Sequence, residues 1–166
     1  MYVAIYGLFD PRTNQLRYVG RSKNAQQRYR QHLDDAKKYL TKSKTADHDW
    51  FALPLLEKVD DKTLSNHNKL RWIAELLNDG NAPQMKMLDE WKHAKDIQDA
   101  NRLEDAYIAI AKRDGALLFN YIYSHRQSHH WYHGLRGNTP EEYVKNLKDG
   151  IIVDGSPYLK KWYKHK

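Results

Sequence analysis

The feature that most constrains this chain lies in its first twenty residues. A β-branched and aromatic run, "YVAIYGLF", is followed by the turn "DPRTN" and a second run, "QLRYVG". Two short runs of this kind joined by a Pro/Asn turn read as a β-hairpin. Tyr6 is placed near the end of the first strand and Tyr18 in the second, so their rings can meet across the pair. The next segment, "NAQQRYRQHLDDAKKYL", has the signature of a helix start, with Asn24 as N-cap and Gln27 at the third helical position. Tyr29, Leu33, Ala36 and Leu40 recur along it at helical spacing and form its buried stripe.

Residues 41–66 read as a connecting segment, with a short helix or strand around the apolar island "WFALPLLEKV". From Asn68 the pattern "NKLRWIAELLNDG" is an amphipathic helix, with Leu70, Ile73, Ala74 and Leu77 inward and Gly80 ending it. "APQMKMLDEW" alternates as a strand does. Asp96 and Asp99 open a further helix, "IQDANRLEDAYIAIAKRDG", which stops at Gly115 and leads into the short extended piece "ALLFNYIY". The expected fold is α+β: a small three-stranded antiparallel sheet with an N-terminal hairpin, flanked by helices. The character changes after Tyr123, so residues 2–123 form one unit and 124–166 a basic, His- and aromatic-rich extension. In that extension Thr139 caps a helix over "TPEEYVKNLKDG", with Pro140 at the first helical position and Glu142 completing a capping box.

Composition enters through charge. With 28 Lys and Arg against 21 Asp and Glu, the net charge is +7, which favours a polyanionic partner, nucleic acid above all. The absence of cysteine excludes disulfides and thiolate-bound zinc. No stretch has the pattern of a signal peptide or the length of a membrane span, which points to a cytoplasmic protein. In the extension, His125, His129 and His133 repeat every four residues, as zinc ligands on a helix face would. Trp131, Gly134 and Gly137 argue against a helix there. Lys160 and Lys161 lie among Tyr158, Trp162 and Tyr163, a mixture that suits base stacking and phosphate contact as well as it suits packing.

Two placements suggest chemistry. Between residues 11 and 33 there are six basic side chains and no acidic one, and Arg28 and His32 fall on one face of the first helix. Arg17, Arg21, Lys23 and Arg30 of this stretch are candidates to contact nucleic acid. Glu104 falls within the buried arc drawn by Ala100, Leu103, Tyr107, Ile108 and Ala111. A carboxylate among core residues must be paired or bind a metal. Its own helix allows either, an ion pair with Arg28 or a lysine, or a hard cation.

Taken in order, Tyr6, Tyr18, Gly20, Arg28, His32, Glu104 and Asn120 resemble the GIY-YIG endonucleases over residues 2–123. Members of that family carry two tyrosine triplets on an N-terminal hairpin, an arginine and a histidine four apart, and a later glutamate and asparagine. Ala4 stands where the first triplet has glycine, and residues 33–66 are longer than the family pattern needs. The resemblance implies hydrolysis of DNA phosphodiesters, with double-stranded DNA as partner in a bacterial or phage-infected cell. It implies Mg²⁺ or Mn²⁺ on Glu104, in a single-metal mechanism. It further implies that Tyr6, made acidic by nearby positive charge, activates water. Tyr18 would orient that water or a phosphate oxygen, and Asn120 would fix Glu104 or the DNA backbone. Arg28 offers a bidentate fork to the phosphate. The alternative is a non-catalytic nucleic-acid-binding module on the same fold, which would have no need of Glu104. If the site exists, these side chains must converge on one concave surface, and Glu104 on the opposite side of the sheet from Tyr6 would sink the enzyme reading outright.

Overall fold

The computed structural model describes residues 1–45, 62–120 and 139–151. Its elements run β1 (Val3–Phe9), β2 (Leu16–Ser22), α1 (Ala25–Thr45), α2 (Lys62–Asn78), β3 (Gln84–Trp91), α3 (Ile97–Arg113) and α4 (Pro140–Lys148). The three strands form one antiparallel sheet in the order β2-β1-β3, the α+β architecture expected.

The hairpin is closed by Asp10. Its main-chain carbonyl accepts from Asn14 N, and Asn14 takes a left-handed φ of 56°, a conformation asparagine tolerates better than most residues. The Asp10 carboxylate accepts from the Arg12 amide and guanidinium and from Trp72 Nε1 at 3.0 Å. That last bond ties the turn to α2.

Alternation along β1 divides the core. Ala4, Tyr6 and Leu8 face α1 and α2, against Ala36, Trp72, Ile73 and Leu76. Val3 and Ile5, joined by Val19 of β2, face α3 and α4, against Leu103, Ala106, Tyr143 and Leu147. Thus α4, from the C-terminal extension, is built into the same core as α3. Its start is capped as the sequence suggests, Thr139 Oγ1 accepting from Glu142 N at 3.2 Å.

Three expectations shift. α1 continues to Thr45 and α2 begins at Lys62, so helix replaces both ends of the connecting segment; residues 46–61 lie outside the described part. Tyr6 sits in the middle of β1, not near its end. In α2, Trp72 and Leu76 are buried and Leu70 and Leu77 only partly so, the arc that joins the cluster with Tyr6, Leu8 and Ala36 being rotated from the expected one. The extended piece after Gly115 is described to residue 120 and joins β2 through one main-chain bond, Phe119 N to Arg17 O at 2.7 Å. The histidines of the tail, with Lys160 and Lys161, lie outside the described residues.

Candidate active site

The site grows from the pairing of β1 with β2. Tyr6 lies directly opposite Gly20, and Tyr18 lies opposite Leu8. Tyr6 and Tyr18 are therefore diagonal neighbours on the face that α1 and α2 cover, with ring centroids 6.4 Å apart. Gly20 is what allows this: a Cβ there would lie 2.5 Å from Tyr6 Oη and 2.8 Å from Tyr18 Cε1. The tyrosine ring occupies the space a side chain would need.

The helix is delivered to the same place by a short connection. Ser22 Oγ and Asn24 share a turn, and Asn24 Oδ1 accepts from Gln27 N at 3.0 Å, the expected cap. Two turns on, His32 is 1% exposed, and its Nε2 shares a 2.8 Å hydrogen bond with Tyr6 Oη. The imidazole also stands edge-on to Tyr18, centroids 5.4 Å apart. Arg28, one turn earlier, is half-buried and its Nη1 donates to Gln31 Oε1.

Electrostatics follow from this burial. His32 is pushed down to about 3, first by desolvation and then by the charges of Lys69 and Arg28, so its ring is neutral at ordinary pH. Tyr6 is pushed up to about 12, because desolvation, helped by the charge of Glu104, outweighs the pull of Arg28. Tyr18 moves upward for the same leading reason. The expectation that positive charge makes Tyr6 acidic is therefore corrected: Arg28 acts in that direction, and burial is the larger effect.

Glu104 arrives from the other side. Its helix, α3, packs on the face of Ile5 and Val19, opposite to Tyr6. Yet β2 is an edge strand, and Glu104 meets it at Arg21, whose Nε donates to Oε2 at 3.2 Å. Next to Arg21 is Gly20, which faces the tyrosines without a side chain, and the charge of Glu104 acts on both Tyr6 and Tyr18. The ion pair open to it from sequence forms with Arg21 instead of Arg28 or a lysine. Glu104 keeps 22% of its side chain exposed.

Among the remaining candidates, Asn120 does not hold Glu104. Its Oδ1 accepts from Val19 N at 2.8 Å and its Nδ2 donates to Val19 O at 2.6 Å. The amide side chain thus pairs like a strand residue along the open edge of β2, where unpaired main-chain groups would otherwise face outward. Arg17 is half-buried with its guanidinium 4.5 Å over the Phe119 ring, and Arg21 is committed to Glu104, whereas Lys23 and Arg30 are exposed.

One residue of the pocket was not singled out from sequence. Lys69, on α2, is 7% exposed, with Nζ 4.8 Å from the Tyr18 ring centroid. Burial and Arg28 push its pKa down to about 8, with Asp35 opposing. Its signal was present: Lys69 stands three residues before Trp72 and seven before Leu76, a cation on an apolar stripe.

Residues 2–114 match the GIY-YIG catalytic domain. This chain belongs to the GIY-YIG family. Tyr6, Tyr18, Gly20, Arg28, His32 and Glu104 fall inside the match, and Asn120 lies beyond its end. No curated protein and no solved structure matches the chain. The GIY-YIG domain is a nuclease domain, and its members are generally dependent on divalent metal. No helix among the described residues is long and apolar enough to cross a membrane.

Among the described residues no cluster of three or more His, Asp or Glu side chains forms a metal cage. What the site offers is Glu104, a single hard carboxylate open to solvent at the edge of the pocket. That donor set fits Mg²⁺ or Mn²⁺, which keep several waters and share their shell between one or two carboxylates and substrate phosphate.

Proposed function

We propose that this protein is an endonuclease that hydrolyses phosphodiester bonds of double-stranded DNA, using one divalent cation held by Glu104. The supporting observation is the buried hydrogen bond between Tyr6 and a neutral His32, beside Tyr18 and Arg28. A hydroxyl joined to an unprotonated imidazole is a ready path for a proton.

The chemistry follows from those partners. A water positioned by Tyr18 gives its proton to Tyr6 Oη as the Tyr6 proton passes to His32 Nε2, in the tautomer that carries hydrogen on Nδ1. The water oxygen bonds to phosphorus, and the bond from phosphorus to the 3′-oxygen breaks. In the free protein the cations Lys69 and Arg28 disfavour imidazolium; a bound phosphate supplies negative charge that offsets them and raises the proton affinity of His32. Arg28 places its planar fork on the non-bridging oxygens, where charge builds in the transition state. A cation on Glu104 would supply Lewis-acid neutralisation of the phosphoryl group and of the departing oxygen. Lys23 and Arg30, both exposed, carry the flanking backbone. The setting we propose is the cytoplasm of a bacterial or phage-infected cell.

The test is conversion of supercoiled plasmid to nicked or linear forms with Mg²⁺ or Mn²⁺, repeated with excess chelator. Cleavage that requires the metal is the expected result. Intact plasmid under every metal condition, by folded protein that still binds DNA, would leave the non-catalytic module as the correct reading.

A further inference from the structure

Lys69 is an ammonium in the wrong place for a structural role. It is nearly buried, and among the described residues it makes no ion pair; the neighbouring carboxylate, Asp35, acts on it only at longer range. Its contact is the face of Tyr18, at 4.8 Å. Burying a charge without a counter-charge is unfavourable, and a cation–π contact recovers only part of that. The groups around it make the imbalance worse: Arg28 repels it, and His32 is neutral.

The cluster holds two cations, two phenols and a neutral imidazole, and its neighbouring carboxylate, Glu104, is already paired with Arg21. We propose that Lys69 is a phosphate-binding residue of this site, its ammonium taking a backbone oxygen of DNA on the side of the pocket away from Arg28. The inference rests on the reading of the pocket as a DNA site, but it concerns binding and needs no cleavage. Tyr18 then has a second task, holding the Lys69 stem and head in register for the phosphate. The titratable and charged groups facing Lys69 are Tyr18 from β2 and Arg28, His32 and Asp35 from α1. Tyr18 is pushed up and His32 down, both away from the range in which Lys69 itself titrates, about 8 in the free protein.

The experiment uses the full chain in EDTA and a fluorescein-labelled duplex of about 30 base pairs, read by anisotropy across a salt series. Lys69→Met should weaken binding at least about tenfold, the scale of a lost hydrogen bond to a charged group. It should also lower the slope of log K against log[salt] by about one, as for one phosphate contact. Its melting temperature should be equal or higher, because an unpaired buried charge has been replaced by an apolar chain of similar size. A structural lysine predicts the reverse pair, lower stability with unchanged affinity and slope, and that result overturns the proposal. If the Met variant does not fold, the wild-type protein and Lys69→Arg decide. Wild-type affinity should fall from pH 7 to pH 9 and that of the Arg variant should not; parallel losses in both overturn it. Because no metal is present, an inactive plasmid assay with these binding results intact would refute the nuclease mechanism and leave the phosphate site standing.

Discussion

Gly20→Ala adds a single methyl at the point where the two tyrosines meet. Built on the observed backbone, that methyl lies 2.5 Å from Tyr6 Oη, 2.6 Å from Tyr6 Cζ and 2.8 Å from Tyr18 Cε1. The Tyr6 ring is fully buried and tied to His32, so it has no free direction in which to withdraw. Forcing a methylene-sized group into a filled core costs about 1–3 kcal/mol. Separating Tyr6 from His32 while both stay buried adds about 1–3 kcal/mol. For a chain of this size each kcal/mol lowers the melting temperature by about 2–4 °C, so a fall of at least about 4 °C is expected. A displacement of about 1 Å in a reacting group costs about a hundredfold in rate, so plasmid nicking should fall by about that factor. Paired thermal melts and nicking rates read both effects. The sign is diagnostic, since alanine for glycine in compatible extended backbone stabilises by about 0.4–1 kcal/mol through the unfolded chain. A Gly20→Ala protein that melts at or above the wild-type temperature, and cuts normally, would refute the close approach and the part given to Tyr6.

Glu104→Gln should abolish metal-dependent nicking while DNA affinity stays the same or rises slightly, since one negative charge leaves the binding surface; retained cleavage would remove Glu104 as metal ligand. Arg28→Lys keeps the charge but loses the fork, so DNA binding should be nearly normal and single-turnover cleavage slower by about a hundredfold; wild-type turnover with lysine would make Arg28 a binding charge only. The pH dependence of stability carries a further test. His32 has a folded pKa lowered to about 3 from an ordinary 6.5, so below pH 6.5 the unfolded chain binds the extra proton and stability is lost as pH falls. The slope is about 1.4 kcal/mol per pH unit for this one group, or about 2 kcal/mol between pH 6.5 and 5. Urea melts of wild type and His32→Gln over that interval should diverge accordingly, and parallel curves would show that His32 is not held neutral.

Much of this arrangement was legible because local signals agreed with one another. The hairpin, the Asn24 cap and the start of α3 at Asp96 each rest on side chains that bond their own neighbouring backbone, and such bonds form wherever the chain goes. Glu104 was legible for the opposite reason, as a charge inconsistent with its own stripe. Its partner was not, since Arg21 reaches it only because the β1–β2 register turns that side chain toward α3, whereas Arg28 lies on α1. Lys69 shows the limit of the stripe argument. On a helix buried along one side it would have stood out more sharply, but Asn68 and Arg71 beside it are buried too. The stripe through Trp72 and Leu76 marks its position, but polar neighbours buried beside it weaken the mark. Asn120 and Arg17 misled for a simpler reason. Their partners, the Val19 backbone and the Phe119 ring, exist only once the 115–120 segment has folded back along β2.

That strand also resolves the apparent obstacle of a carboxylate on the far side of the sheet. Tyr18 and Arg21 point into separate layers, and in a central strand flanking strands would stand between groups on the two faces. β2 is an edge, and its alternation places Tyr18 and Gly20 toward α1, Val19 and Arg21 toward α3. Gly20 leaves free the space that the Tyr6 ring occupies. Glu104 can therefore remain on α3, held by Arg21, and still act electrostatically on both tyrosines. The open main-chain groups that such an edge leaves behind are taken by Asn120 and by the Phe119 amide. A site assembled this way draws one wall from each face of the sheet. It requires a glycine at the crossing point and a polar cover along the outer edge, and this chain supplies both.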